Sequence, residues 1–142
     1  MIKFLEPNSF NHVFNINITA IQLAYDYHQL RQLLNEIGYS ESLLVGPEVN
    51  HVGDINRIGE HYAKTFLEND KNSINYVTWH QYYLNGKEAQ LIDFINISIF
   101  NYLPKQIKSM QEAIQSSGKI IPMWLCMSLY NFIKFLKIIL IK

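Results

Sequence analysis

Three short segments gather side chains able to move protons or hold a saccharide. Leu5-Glu6-Pro7-Asn8-Ser9-Phe10 sets a carboxyl group just before a helical region. Pro47-Glu48-Val49-Asn50-His51 follows a short apolar run, and His80-Gln81-Tyr82-Tyr83 closes an aromatic, β-branched one. A carboxyl group with a raised pKa protonates a leaving oxygen and later takes a proton from water. A histidine beside tyrosines can orient a carboxylate or a sugar hydroxyl. Each segment also has a plain structural reading. A lone Glu-Pro commonly sits in a loop or starts a helix, Glu48 and His51 read as solvated loop residues, and Trp79, Tyr82 and Tyr83 read as core or rim aromatics. His28 and His61 fall on helical stretches and read as surface or interface histidines.

Other chemistries lack their residues. No two histidines stand at HExxH spacing, so no zinc or other metal site is expected. There is no phosphate-binding glycine loop and no serine elbow, and no cofactor is implied. The single cysteine, Cys126, supplies neither a disulfide framework nor a thiolate metal site.

The elements that must position these residues are legible in the apolar spacing. Thr19-Ala20-Ile21-Gln22 reads as a capping box, and Ala20, Leu23, Ala24, Tyr27, Leu30, Leu34 and Ile37 follow at helical intervals up to Gly38. Ser42 to Pro47 reads as a buried strand. Asp54 is a candidate N-cap for a second helix, through Ile55, Ile58, Tyr62 and Phe66 to about Glu68. Asn75 to His80 reads as a strand and Asn85-Gly86 as a turn. Ile99, Leu103, Ile107, Met110 and Ile114 trace a third helix, kinked or started by Pro104 and ended at Ser117-Gly118. Ile120 to Leu125 reads as a further strand. Helix and strand alternate, which predicts βαβ units and a parallel sheet. Ligands of such sheets and barrels bind beyond the C-terminal strand ends, so Glu6, Glu48–His51 and His80–Tyr83 are expected on one rim.

The chain has 142 residues, one ordinary domain's worth. Twelve basic and twelve acidic residues cancel, which argues against binding nucleic acid or another polyanion through bulk charge. With 49% hydrophobic and 17% charged residues, the composition is that of a core-forming protein. The run from Leu129 to Ile141 is apolar but interrupted by Asn131, Lys134 and Lys137, and it is shorter than the roughly 20 residues a bilayer span needs. Residues 126–142 hold no acidic residue and no turn chemistry. They read either as an amphipathic helix on a membrane surface or as a tail foreign to the fold. Met1 to Leu5 is too short for a signal peptide. Asn17-Ile18-Thr19 and Asn96-Ile97-Ser98 are glycosylation sequons that tilt toward the secretory pathway.

Glu-Pro-Asn-Ser-Phe at 6–10, Gly-Pro-Glu-Val at 46–49 and Val-Thr-Trp-His-Gln-Tyr-Tyr-Leu-Asn-Gly at 77–86 resemble, in order and spacing, successive segments of the heparanases of glycoside hydrolase family 79. The resemblance runs from about residue 6 to 125, with 126–142 as a divergent tail. It implies the middle βα units of a (β/α)₈ barrel, about strands four to seven, with the remainder of the barrel missing. It implies hydrolysis, with retention, of glucuronide bonds in heparan sulfate, a secreted glycosaminoglycan partner, and a secretory, matrix or lysosomal location. Retaining enzymes use two carboxyl groups about 5–5.5 Å apart. Glu6 matches the acid/base; His80 and Tyr82 match cleft residues; Asn8 and His51 fall in motif positions that would touch substrate. The chain departs from the family at Leu5, where an asparagine normally holds the sugar 2-hydroxyl. It departs at Asn50–Asp54, where adjacent arginines would bind sulfate and only Arg57 is basic, and at Cys126-Met127, where a small residue and the nucleophile glutamate would stand. The chain is therefore expected to be inactive alone. The alternative expectation is a non-catalytic protein binding heparan sulfate or a membrane surface.

Overall fold

A computed structural model describes residue 7 and residues 18–50, 52–84 and 88–126. Element order follows the expected alternation: α1 (Ala20–Glu36), β1 (Val45–Val49), α2 (Ile58–Asn69), β2 (Tyr76–His80), a 3₁₀ turn at Leu91–Ile95, α3 (Ile97–Phe100), α4 (Leu103–Ser116) and β3 (Met123–Cys126). The three strands form one sheet in the order β1-β2-β3, and both pairings are parallel. The fold is thus α/β, with consecutive strands lying side by side, as βα units require.

Helix α1 begins where the sequence says it should. Thr19 is extended and its hydroxyl accepts the Gln22 N–H at 3.1 Å. This satisfies one of the amides that a helix start leaves without a partner. The helix stops at Glu36, and Gly38 takes the left-handed φ of 86° just beyond. Helix α2 corrects the expected start at Asp54. Residues 54–57 form a turn closed by Arg57 N–H to Asp54 C=O, and Arg57 itself is the N-cap, at a φ of 49°. The expected third helix, Ile99 to Ile114, is split at Asn101-Tyr102 into α3 and α4, and a 3₁₀ turn precedes it. Asn96, extended in backbone, separates the 3₁₀ turn from α3 and caps α3 by accepting the Ser98 N–H at 3.0 Å. Pro104 lies at the start of α4, where its missing N–H costs nothing.

Strand β1 starts three residues later than Ser42 and runs past Pro47 to Val49. The Gly46-Pro47 bond is cis. Every residue of β1 is buried, as in a strand covered on both faces. In β2, Val77 and Trp79 point into the core with Tyr27, Phe66, Leu67 and Met110 from α1, α2 and α4. Strand alternation puts Thr78 and His80 on the opposite face, and both are buried there too.

Two contacts fix the helices against the sheet. The Tyr27 hydroxyl donates to the Val45 carbonyl at 3.2 Å, and its ring lies over Gly46, where a Cβ would meet Oη at 2.6 Å. At the other end, Gly59 in α2 abuts the Asn50 carbonyl so closely that a Cβ would stand 2.2 Å from it. Away from the strand C-termini, Arg31 of α1 donates to the carbonyls of Ser73, Ser40 and Ser42 and to Asn75 Oδ1, tying together the segments that feed β1 and β2.

The Asn50 contact involves main chain and cannot swing aside. Gly59→Ala is therefore expected to cost about 1–3 kcal/mol, the ordinary penalty of overpacking. Chemical denaturation measures it, and a loss below about 0.5 kcal/mol would show that the α2 start is free to shift. Alkaline stability gives a second expectation. Burial, then the neighbouring Tyr27 and Asp26, push the Tyr62 phenol well above its ordinary 10.0, and its hydroxyl donates to the Ile18 carbonyl at 2.9 Å. A raised folded-state pKa gives stability that is whole below the unfolded value and fades as pH rises past it. Melting temperature should fall steeply above about pH 10, and Tyr62→Phe should flatten that fall. Identical alkaline slopes for the two proteins would refute the assignment.

Candidate active site

Glu48 overturns its reading as a solvated loop residue. It lies inside β1, fully buried, at a φ of 59°. Pro47 pairs with Thr78 and Val49 with Trp79, so Glu48 is the extra residue of a bulge. A bulge with a left-handed residue re-aims the side chain that it carries. One carboxylate oxygen of Glu48 meets His80 Nε2 in a short contact. The other accepts from the Cys126 thiol at 3.6 Å. His80 and Cys126 are register partners in β2 and β3. The C-terminal ends of three adjacent strands thus converge on one carboxylate.

The chain of contacts continues outward. His80, 2% exposed, reaches Tyr82 Oη through Nδ1 at 3.3 Å. Tyr82 is 38% exposed and opens on a groove shared with Val52, Tyr83, Tyr102 and Gln106. A buried carboxylate, an imidazole and a half-exposed phenol therefore stand in line from the sheet interior to the surface. A dry setting strengthens hydrogen bonds of this kind.

Two further groups line the floor and flank of the groove. The Gln106 amide, from α4, donates to the Val52 carbonyl at 2.9 Å and to Gln81 Oε1 at 2.7 Å. Tyr102 donates to the Gly53 carbonyl at 2.6 Å. Beyond Tyr102 a second groove is lined by Arg57, Lys105 and Lys108, along with Asp54 and Glu112. Arg57 pairs with Glu112 at 3.6 Å. The sequence showed one basic residue near this rim; the fold adds two lysines from α4.

Of the expected site residues, the structure brings His80 and Tyr82 together and joins them to Glu48. Glu6, Asn8, His51 and Asn17 lie outside the described residues, as do the Asn85-Gly86 turn and residues 127–142. Asn96 is exposed at the α3 cap. Among the described residues, no cluster of three or more His, Cys, Asp or Glu side chains could hold a metal ion, and no helix is long and apolar enough to cross a membrane. Sequence reasoning put Glu48 on the rim without assigning it a partner, and it missed the roles of Cys126, Gln106 and the two lysines. A signal existed for the first two: adjacent parallel strands set their C-terminal residues side by side, so Glu48, His80 and Cys126 were candidates to meet.

Gln106→Leu tests the floor. It should cost about 1–3 kcal/mol in chemical denaturation, since it leaves the buried Val52 carbonyl and Gln81 amide without their donor. An unchanged stability would show that water replaces the amide and that the groove floor is not held by it.

No protein-family model matches the sequence. Comparison with curated proteins finds heparanase from Bos taurus, 35% identical over 118 residues, or 83% of this chain and 21% of that protein. Heparanase from Gallus gallus is 31% identical over 121 residues, 84% of this chain and 23% of that protein. Inactive heparanase-2 from Mus musculus is 26% identical over 121 residues, 84% of this chain and 20% of that protein. The chain spans about a fifth of the length of the curated relatives it matches.

Proposed function

From this chain's homology to the heparanases, a heparanase-like glycoside hydrolase relationship over more than four-fifths of its length, we propose that it carries one wall of the saccharide cleft of a retaining endo-glycosidase that cleaves glucuronide bonds in heparan sulfate. The observation that carries the reading is the Glu48–His80–Tyr82 line, which runs to the C-terminal edge of a parallel sheet where such clefts open. The three strands, adjacent in sequence order, are then consecutive strands of a (β/α)₈ barrel, with 126–142 apart from that fold. Glu6 is the acid/base, Asn8 and His51 touch substrate, and Tyr82 offers its hydroxyl to the sugar ring.

A retaining mechanism needs a second carboxyl group beside the first. After Trp124-Leu125 this chain has Cys126-Met127 and no acidic residue through Lys142. Alone, the 142-residue chain is therefore inactive. The grooves beside Tyr82 and Arg57 take a glycosaminoglycan, with Lys105 and Lys108 supplying charge that the missing arginines do not. The sequons at Asn17 and Asn96 support a secretory route; Asn96 is exposed, and attachment at its Nδ2 leaves its capping Oδ1 in place. A second reading, glycan binding without catalysis, is favoured by one finding: a relative of similar coverage is named an inactive heparanase.

Heparan sulfate cleavage and heparin chromatography on the purified chain test both parts. No turnover above blank is expected, and turnover abolished by Glu6→Gln would overturn the inactivity claim. Retention at low salt should drop on Lys105→Glu with Lys108→Glu, and weaken as salt rises. Elution of the unaltered chain in the void would sink the glycosaminoglycan reading.

A further inference from the structure

We propose that an N-linked glycan on Asn96 is the cover of the apolar surface formed by residues 91–100, and that the chain associates through this surface when the glycan is missing. That the natural chain meets the transferring enzyme rests on the secretory route of the reading above; the acceptor geometry and the need for a cover do not.

The 3₁₀ turn Leu91–Ile95 and α3 bury no residue. Yet Leu91, Ile92, Ile95 and Ile97 are each at least 66% exposed, and Phe100 is 43% exposed. Among the described residues, no other stretch of ten exposes as many large apolar side chains. Asp93 is the only charged residue between Glu88 and Lys105, and its carboxylate accepts the Gln90 N–H at 2.7 Å. An apolar surface this dense marks a place that something covers.

Asn96 stands at its centre. Along the chain axis Leu91 is about 10 Å away at the 3₁₀ rise, and Phe100 about 6 Å away at the helical rise. Asn96-Ile97-Ser98 is an acceptor sequon, and Asn96 and Ser98 are both exposed. The Ser98 N–H is met at 3.0 Å by Asn96 Oδ1, which leaves Nδ2 on the other side of the planar amide, away from that main-chain group. Transfer joins Nδ2 to C1 of the first sugar of a lipid pyrophosphate-linked oligosaccharide. The N–C1 bond forms, the C1–O bond to the pyrophosphate breaks, that oxygen keeps the bonding pair, and Nδ2 gives up one proton. Oδ1 takes no part, so α3 keeps its cap. The glycan then rises from the middle of the patch, with sugar C–H faces toward Ile92, Ile95 and Ile97 and hydroxyls toward water. A protein or a bilayer seated on the same surface would bury Asn96 and exclude the glycan, so occupancy of Asn96 decides between the covers.

The test is expression of the whole chain in a eukaryotic secretory host behind a cleavable leader, so that a failure belongs to this proposal and not to the route. Peptide N-glycosidase in H₂¹⁸O should turn Asn96 into ¹⁸O-labelled aspartate, read by peptide mass. Ser98→Ala, which keeps the Asn96 cap, should abolish the label. In sedimentation velocity at equal concentration, the Ser98→Ala chain should shift to larger species than the glycosylated chain. Adding Ile92→Lys and Ile95→Lys, both at exposed positions, should reverse that shift. A bare Asn96 leaves the surface to a protein or a bilayer and overturns the proposal. So does a Ser98→Ala chain that associates no more than the glycosylated one, or whose association ignores the double substitution.

Discussion

Glu48 is a carboxylate taken wholly out of water, and an ionised group so placed has to find donors in the protein or cost several kcal/mol. Two of its partners come from the next two strands, His80 in β2 and Cys126 in β3. They can reach it only if the strands lie in the order β1-β2-β3, in parallel, with their C-terminal ends level. The architecture of the site is thus a consequence of where one charge is buried. Removing one partner of such a buried contact costs more than its net contribution, because the other then loses a hydrogen bond that water does not replace.

The supporting structure divides the work between the two ends of the sheet. At the N-terminal end, Arg31 and Asn75 bind the loops that feed β1 and β2, and Lys119 donates to the Asp70 carbonyl and to Asn72. These contacts position backbone. At the C-terminal end, Gly59 and Gly53 let α2 and α4 approach closely. Gly59 has room for the Asn50 carbonyl, and Gly53, at a φ of 84°, lies against the Gln106 side chain. The Glu60 carboxylate accepts from the Gly53 amide and the Ser109 hydroxyl. The α2 start and α4 are thereby tied to the loop after β1.

Much of this fold was legible in the chain. Helix α1 declared both ends, through Thr19 as cap and Gly38 as stop, because capping chemistry is local. The β2 strand was visible as a run of β-branched and aromatic residues. Two of the errors share a cause. Asp54 looks like a cap, yet α2 starts only where Gly59 can slide under Asn50. The single helix expected through Ile99 to Ile114 is split between Phe100 and Leu103. Ser42 and Leu43 look like strand residues, but pairing begins where β2 runs alongside. For α2 and β1, a neighbour from another segment of the chain decided the boundary.

By itself the sequence determined the alternation of helix and strand, the parallel sheet it demands and the heparanase-like motifs that mark out His80 and Tyr82. These depend on periodicity and local spacing, which a linear chain carries in full. Only the tertiary structure decided that Glu48 is a buried partner and not a solvated loop residue, that Cys126 shares it, and that Lys105 and Lys108 stand beside Arg57. The physical reason is that burial and cross-strand register are set by strands 30 or more residues apart, and a one-residue bulge, silent in composition, turns a side chain from one face of a sheet to the other.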